Sequence, residues 1–419
     1  SELVTDQIYN YGDYTYKYGN YFGHEGWLVS INEEVTDRNQ TSYGEILESI
    51  NEKPIVSLVS TFKDCVNLVY APEIPDGVIA MGYTFSGCSS LIEAPIIPDN
   101  VFVMLQAFLN CTSLKKAYNL PVNLSSNGNY SANIFSNCTS LVEAPIIPEG
   151  IKVLVGTFNG CTSLVNAPEI PTTVTSLSST FSGCTSLVNA PSIPSNVEYL
   201  TSTFKNCTSL VNVPEIPSSV TNMTSAFEGA TSLVSAPSIP SSVTNLTKTF
   251  MGCISLTSAP EIPSSVTNMT STFEGATSLV SASTIPSSVT NLTKTFMGCT
   301  SLKGNIEINA EPTKYTNCFG GVDMSPITLT GTSSLKSEIR NTGILHTFSL
   351  SCPPNGTRTL EFAVGMTWQD WVNSSLGNSY AIVNGYVGIP NYDDPSRLDY
   401  YFEYEGHRVT GDEVIIEGA

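Results

Sequence analysis

Phenylalanine recurs along the middle of the chain at 62, 85, 108, 135, 158, 181, 204, 227, 250, 273, 296 and 319, and every interval is 23 residues except that of 27 between 108 and 135. A representative unit reads Thr203-Phe204-Lys-Asn-Cys207-Thr-Ser-Leu210-Val-Asn-Val213-Pro-Glu-Ile216-Pro217-Ser-Ser-Val220-Thr-Asn-Met223. Apolar residues return at the Phe, Cys, Leu, Ala or Val, Ile, Val, and Met or Leu positions, and most others are Ser, Thr, Asn, Gly or Pro. A unit this short cannot bury its apolar face alone, so neighbours must stack on one another. The pattern predicts a β-rich repeat solenoid of about twelve turns, a rod of roughly 55 Å at ~4.8 Å per turn. One short strand is expected near Leu-Val-Asn-Ala, another at Val-Thr-Asn-Met, and a turn at Gly-Cys-Thr-Ser. Proline cannot donate to a ladder, so the Ala-Pro and Ile-Pro pairs mark where strands start or bend.

The flanks lack the period, which divides the chain into residues 1–56 (an N-terminal cap), 57–325 (the solenoid), 326–343 (a C-terminal cap or linker) and 344–419 (a small α+β module). In the first segment Ser42-Tyr-Gly-Glu45 reads as a capping box opening a short helix over 43–51, with Ile46, Leu47 and Ile50 covering the first turn. Tyr9, Tyr11, Tyr14, Tyr16, Tyr18 and Tyr21 crowd the same segment. Packing against the first repeats is the weightier reading and a sugar-stacking surface the other. After Phe319, Ile327-Thr-Leu-Thr reads as a strand and Ser334 to Asn341 as a short capping helix. Beyond it, Phe348-Ser-Leu-Ser and Leu360 to Val364 form a hairpin pattern, while Thr367 can cap a helix bearing Trp368 and Trp371. Tyr380–Val387 and Tyr400–Tyr404 alternate as strands, suggesting a helix on a mixed, β-grasp-like sheet.

Composition narrows the function. The formal charge is -20, from 17 basic and 37 acidic residues. That balance argues against nucleic acid, whose phosphates need a Lys/Arg footprint. No run of 18 apolar residues exists to span a membrane, and Ser1-Glu2-Leu3-Val4 is no signal peptide, so either one was removed or none existed. Nine of eleven Cys fall three residues after the repeat Phe, and Ala230 and Ala276 fill the same slot, which marks a small buried volume and a ladder of free thiols. Cys318 and Cys352 lie off that ladder, where pairing is open. The three His (24, 346, 407) share no metal-ligand spacing, and no Gly-x-Ser-x-Gly elbow, phosphate loop or HExxH is present. Glu73, Glu169, Glu215 and Glu261 are too scattered for acid/base work. We therefore expect no enzyme, no cofactor and no metal; Asp393 to Asp399 reads as a solvated turn before a calcium loop.

Candidate binding residues are the row Thr221, Thr244, Thr267 and Thr290, a flat hydroxyl surface suited to glycan contact or, more remotely, to ice, and the pair Trp368 and Trp371, whose simpler role is module core. The Asn-x-Ser/Thr triplets at 110, 137, 206, 222, 245, 268 and 291 are glycan acceptors in one setting and Asn ladders in the simpler reading. The longer interval holds Asn123 to Ser131, a polar loop pushed out of the stack; a tolerated insertion is the commoner explanation and a functional loop the alternative.

Thr-Phe-x-Gly-Cys-Thr-Ser-Leu followed by Ile-Pro-Ser-Ser-Val-Thr-Asn-Leu resembles the BspA-like leucine-rich repeats of bacterial and protozoan surface proteins, over about residues 57–325, with an extra proline in Leu-x-x-Ala-Pro-x-Ile-Pro. The resemblance implies a secreted or cell-surface protein that binds host or microbial surface proteins or glycans, in adhesion. Two alternatives stand beside it. The repeats are a spacer for a C-terminal binding module, or the chain is a phage or fibre component, since Gly365 to Ser374 is similar to a motif ending repeat proteins of gut bacteria and their phages. Oligomeric state is left open.

Overall fold

The computed structural model describes residues 3–343 and, beyond them, the backbone of strands within 345–408. The chain divides into two compact units, Ser1–Leu256 and Thr257–Ala419. The division falls within the repeat array, because the N-terminal segment is continuous with the first turns.

The first unit opens with β1 (Ile8–Tyr11), β2 (Tyr14–Tyr21), β3 (His24–Ile31), β4 (Ser49–Ile50) and β5 (Lys53–Ser57), in the order β1-β2-β3-β5-β4. The alternation in β2 sends Tyr14, Tyr16 and Tyr18 inward and leaves Tyr9 and Tyr11 of β1 exposed. Tyr14 packs edge-on against Phe62, the first repeat ring, at 6.1 Å. β5 runs parallel to β3, and its end, Ser57, bridges to Ala80 and Ala80 to Val103, so the cap sheet passes directly into the array.

No helix forms over 43–51. The backbone groups a helix would use are taken from outside: the Gly44 N–H donates to Asp13 Oδ2 (2.6 Å), the Tyr14 hydroxyl donates to the Gly44 carbonyl (2.7 Å), and the Leu47 N–H donates to the Tyr16 hydroxyl (3.2 Å). Ile46 and Ile50 are buried nonetheless. The capping-box pattern was genuine, but tertiary hydrogen bonds and a glycine in the first turn outweigh local propensity.

The turns that follow stack with each Phe on its predecessor. From Phe62 to Phe250 the ring centroids lie 5.1–6.0 Å apart and the planes within 14° of parallel. Each of the two expected strands contracts to a single bridging residue, as in Asn189↔Asn212 for the first and Asn222↔Asn245 for the second. The cause is local: after Asn189 and Ala190 comes Pro191, which has no N–H, while the Asn245 side chain accepts from the Thr247 N–H at 2.9 Å and ends the ladder itself.

Two columns of buried polar groups follow the stack. From Cys88 onward each ladder thiol donates to the Phe carbonyl one turn back, 3.0 Å for Cys207 to Phe181 and 3.1 Å for Cys253 to Phe227. The Thr before Phe donates to the carbonyl 26 residues earlier in most of the turns that carry it, 2.8 Å for Thr203 to Leu177 and for Thr180 to Leu154, while Thr157 lacks that partner. The cap meets the same need: Thr61 donates to Val29 of β3 at 2.8 Å.

The residue before Cys is left-handed in every turn of this unit, with φ between 57° and 79°, and is Gly, Asn or Asp throughout. A Cβ on Gly87, Gly160 or Gly229 would collide with Asp64 Oδ1, Asn137 Oδ1 or Asn206 Oδ1 of the turn before. Where two Asn follow one another, the Asn137 amide donates to Asn110 Oδ1 at 3.0 Å.

In the second unit Phe273, Phe296 and Phe319 stack at 5.6 and 5.4 Å, β6 (Gly304–Glu307) runs parallel to β7 (Ile327–Thr330), and the array is followed by the short helix Lys336–Asn341. That helix buries Ile339 and fixes the final carbonyls through Arg340, which donates to Ile327 and Met324 at 2.8 and 2.7 Å. Both elements match the sequence expectation. Cys318 fills the Thr slot before Phe319 and is a free, buried thiol. Beyond it Leu345–Cys352 and Gly356–Ala363 form the expected hairpin, Phe348 opposite Leu360. Ala381–Val383, Tyr386–Pro390, Leu398–Tyr404 and His407–Arg408 complete the sheet. Its described pairings are all antiparallel, in place of the mixed β-grasp-like sheet. The helix expected from Thr367 lies outside the described residues.

Three variants test this packing. Thr203→Val should lower unfolding free energy by about 1 kcal/mol, because the Leu177 carbonyl loses one of its two donors and keeps the Thr180 N–H, whereas Cys207→Ala, a change already made at Ala230, should cost about 1 kcal/mol or less. Gly160→Ala should cost about 2 kcal/mol or more from its left-handed backbone and its collision with Asn137. Urea denaturation followed by circular dichroism reads all three.

Candidate binding faces

Each turn turns Leu inward and therefore the next residue outward, by the two-residue alternation of extended chain. In five consecutive turns that residue is valine: Val142, Val165, Val188, Val211 and Val234, between 37% and 51% exposed. The neighbouring row carries the bridging residues. It begins Tyr70, Glu93, Lys116 and Glu143 and continues Asn166, Asn189 and Asn212. Cross-turn pairs bind this row together: Lys116 meets Glu143 at 2.9 Å and sits 5.0 Å from the centre of the Tyr118 ring, the Tyr118 hydroxyl donates to Glu93 at 2.7 Å, and the Asn212 amide donates to Asn189 Oδ1 at 2.7 Å. At the start of the row a cleft of about 310 Å³ is lined by Val69, Tyr70, Ala71, Ile92, Glu93, Ala94 and Pro95. Tyr70 is 69% exposed.

The threonine row proposed from sequence lies beside the other bridging column, one residue before Asn222, Asn245, Asn268 and Asn291. Thr221 and Thr244 occupy adjacent turns of the first unit, and Thr267 and Thr290 adjacent turns of the second; all four are exposed. Their hydroxyl protons are not all free for a ligand: Thr221 donates to the Glu198 carbonyl at 3.4 Å and Thr290 to that of Thr267 at 3.2 Å. Earlier turns of the first unit place Phe102, Lys152 and Glu198 in the same row, so the hydroxyl surface there is short. A longer one was missed. Thr112, Thr139, Thr162, Thr185, Thr208 and Thr231 stand in six successive turns, each donating to a carbonyl one turn back at 3.2–3.4 Å. Its signal was the Thr of each Cys-Thr-Ser or Ala-Thr-Ser triplet. Trp368, Trp371 and the loop preceding Leu398 lie outside the described residues.

The buried cysteines are poor candidates for chemistry. Removal from water pushes the thiols of Cys161, Cys207, Cys253 and Cys299 up to about 12, and Cys88 and Cys318 rise for the same reason. Among the described residues no group of three or more His, Cys, Asp or Glu converges to hold a metal ion, and no helix is long and apolar enough to cross a membrane.

The BspA type leucine rich repeat region matches in six copies, over residues 58–188, 130–255 and 224–339. The chain belongs to the BspA-type leucine-rich repeat family. Its fold is accordingly a β-rich leucine-rich repeat solenoid. Among solved structures, a leucine-rich repeat protein from Bacteroides ovatus is 21% identical, the likeness covering 77% of this BspA-type chain and 90% of that one with a TM-score of 0.52. A leucine rich cell surface protein from Faecalibacterium prausnitzii is 22% identical over 74% of this chain and 96% of that one, with a TM-score of 0.42. At such identities the first likeness speaks for the fold. No curated protein matches the chain in sequence.

The thiol columns give a pH expectation. With folded values near 12 against roughly 8.5 for an exposed thiol, the unfolded chain releases these protons first as pH rises. Stability should be full below about pH 8 and fall steadily from about pH 9 towards 12. Chemical denaturation at stepped pH checks the slope. At pH 8 a thiol reagent should leave the native ladder unlabelled and label it after unfolding.

Proposed function

We propose that this BspA-type protein is a non-enzymatic, surface-displayed binding protein that acts in adhesion to host or microbial surface proteins or glycans. The observation that carries the reading is the valine strip of the first unit, Val142 to Val234, lying beside an amide and ion-pair row whose first residue, Tyr70, lines a cleft. An exposed apolar strip of this length with a polar border is the composition of a contact surface. Individual contacts along it are weak, and strength comes from the number engaged at once on a rigid array. The formal charge of -20 favours neutral or cationic partners over polyanions. The raised thiols and the hydroxyls bonded to the backbone support binding over catalysis.

The test uses the full chain on immobilised mucins, matrix proteins and glycans. The triple variant Val165→Ser, Val188→Ser, Val211→Ser should lose about tenfold or more in apparent affinity for a bound partner, on the order of 0.5 kcal/mol per side chain. Thr221→Ala with Thr244→Ala should leave it unchanged. Loss on the threonine change alone would move the site to the other column. Indifference to both would favour the spacer reading, and binding to nothing on the panel would refute adhesion to those ligands.

A further inference from the structure

Three segments far apart in sequence bring aromatic rings together at one place on the first unit. Phe22 sits at the tip of the β2–β3 hairpin, Phe102 projects from an early turn, and Tyr130 stands on the short helix Gly128–Ser131 inside the insertion that lengthens one repeat to 27 residues. Phe22 and Phe102 are 6.0 Å apart with planes at 86°, Phe22 and Tyr130 6.0 Å at 89°, and Phe102 and Tyr130 6.4 Å at 87°. His24 adjoins Phe102 at 6.5 Å. Phe22 remains 45% exposed and Tyr130 36%.

Two features set this group apart from ordinary surface packing. Phe22 holds a left-handed backbone, φ 52°, which is unfavourable for a bulky side chain. The insertion also disturbs the array. The residue 26 before Thr157 is Ser131, the last of the short helix, and the Thr157 hydroxyl is buried without the partner its counterparts find. The helix is nonetheless held in place: Asn127 Oδ1 accepts from the Asn129 N–H at 3.0 Å, and the Tyr130 carbonyl accepts from the Met104 N–H at 2.7 Å. Local stability is given up while Tyr130 is fixed.

We propose that Phe22, Phe102 and Tyr130 form the three walls of a corner that binds a quaternary ammonium group. Taken as the walls of a box corner, three mutually perpendicular rings with centres about 6 Å apart place a common point about 4.3 Å from each ring, within the ~6 Å range over which a ring quadrupole attracts a cation. A sugar is best met by a flat aromatic platform, which perpendicular rings do not supply. A quaternary ammonium has no N–H to satisfy and spreads its charge over methyl groups, which suits aromatic walls. The chain's formal net charge of -20 favours the bare cation over a phosphate-bearing zwitterion.

The experiment is ligand-observed NMR on the full chain with tetramethylammonium, choline, phosphocholine, the neutral isostere 3,3-dimethylbutanol, and galactose. Tetramethylammonium and choline should bind, phosphocholine less tightly, and dimethylbutanol at least about threefold less tightly than choline. Phe22→Ala and Tyr130→Ala should each weaken choline binding about three- to tenfold, and Tyr130→Phe should leave it within about twofold, as expected of contact with ring faces. Circular dichroism confirms that each variant is folded. Equal binding of the isostere, galactose binding in place of choline, choline binding unmoved by the alanine changes, or no binding of either cation would overturn the proposal.

Discussion

Every turn must lie in register on the one before it, because that is where its buried polar groups find partners. The Thr hydroxyl and the Cys thiol both reach back one turn for a carbonyl, and the Phe rings can stack only if the backbone keeps that offset. A single turn is left with unsatisfied groups and an exposed apolar face, so cohesion belongs to neighbours. The N-terminal sheet respects the same rule by offering Val29 to Thr61 and the Tyr14 ring to Phe62. It is a template whose first free edge already has the repeat's pattern.

This division of labour leaves the surface free to vary. Side chains pointing inward are almost invariant from turn to turn, while each outward row changes character along its length. One row passes from tyrosine and ion pairs to asparagine; another mixes Phe102, Lys152, Glu198 and threonine. An array of this kind offers different surfaces at different heights on one scaffold. The insertion adds to this, since it supplies a side chain at a position no regular turn can reach.

Much of the scaffold was readable from the chain because the stacking rule writes itself into spacing. The Phe period, the interchange of Cys207 and Ala230, and the strand of Ile327 all followed from local pattern. The helix expected over 43–51 did not form, since the Asp13, Tyr14 and Tyr16 side chains that claim its backbone come from a hairpin some thirty residues away. Sites proved harder than fold for the same reason. The threonine rows were visible as spacings, but their bonding to backbone carbonyls was not. The meeting of Phe22, Phe102 and Tyr130 depends on how the cap docks onto the first turns, which no local motif encodes.

The left-handed slot before cysteine has a consequence for how such a protein can grow. An asparagine there claims space above itself, so the turn placed next must bring glycine or an amide able to answer it, as Gly160 and Asn137 do. Turns are therefore not interchangeable bricks: a copy inserted at random meets the wrong neighbour. Lineages should lengthen the array most readily where glycine already fills the slot. Residues 214–256 and 260–302 fit that expectation, being near-copies whose slots are Gly229, Gly252, Gly275 and Gly298. Gene duplication is steered there by the room a missing methyl group leaves.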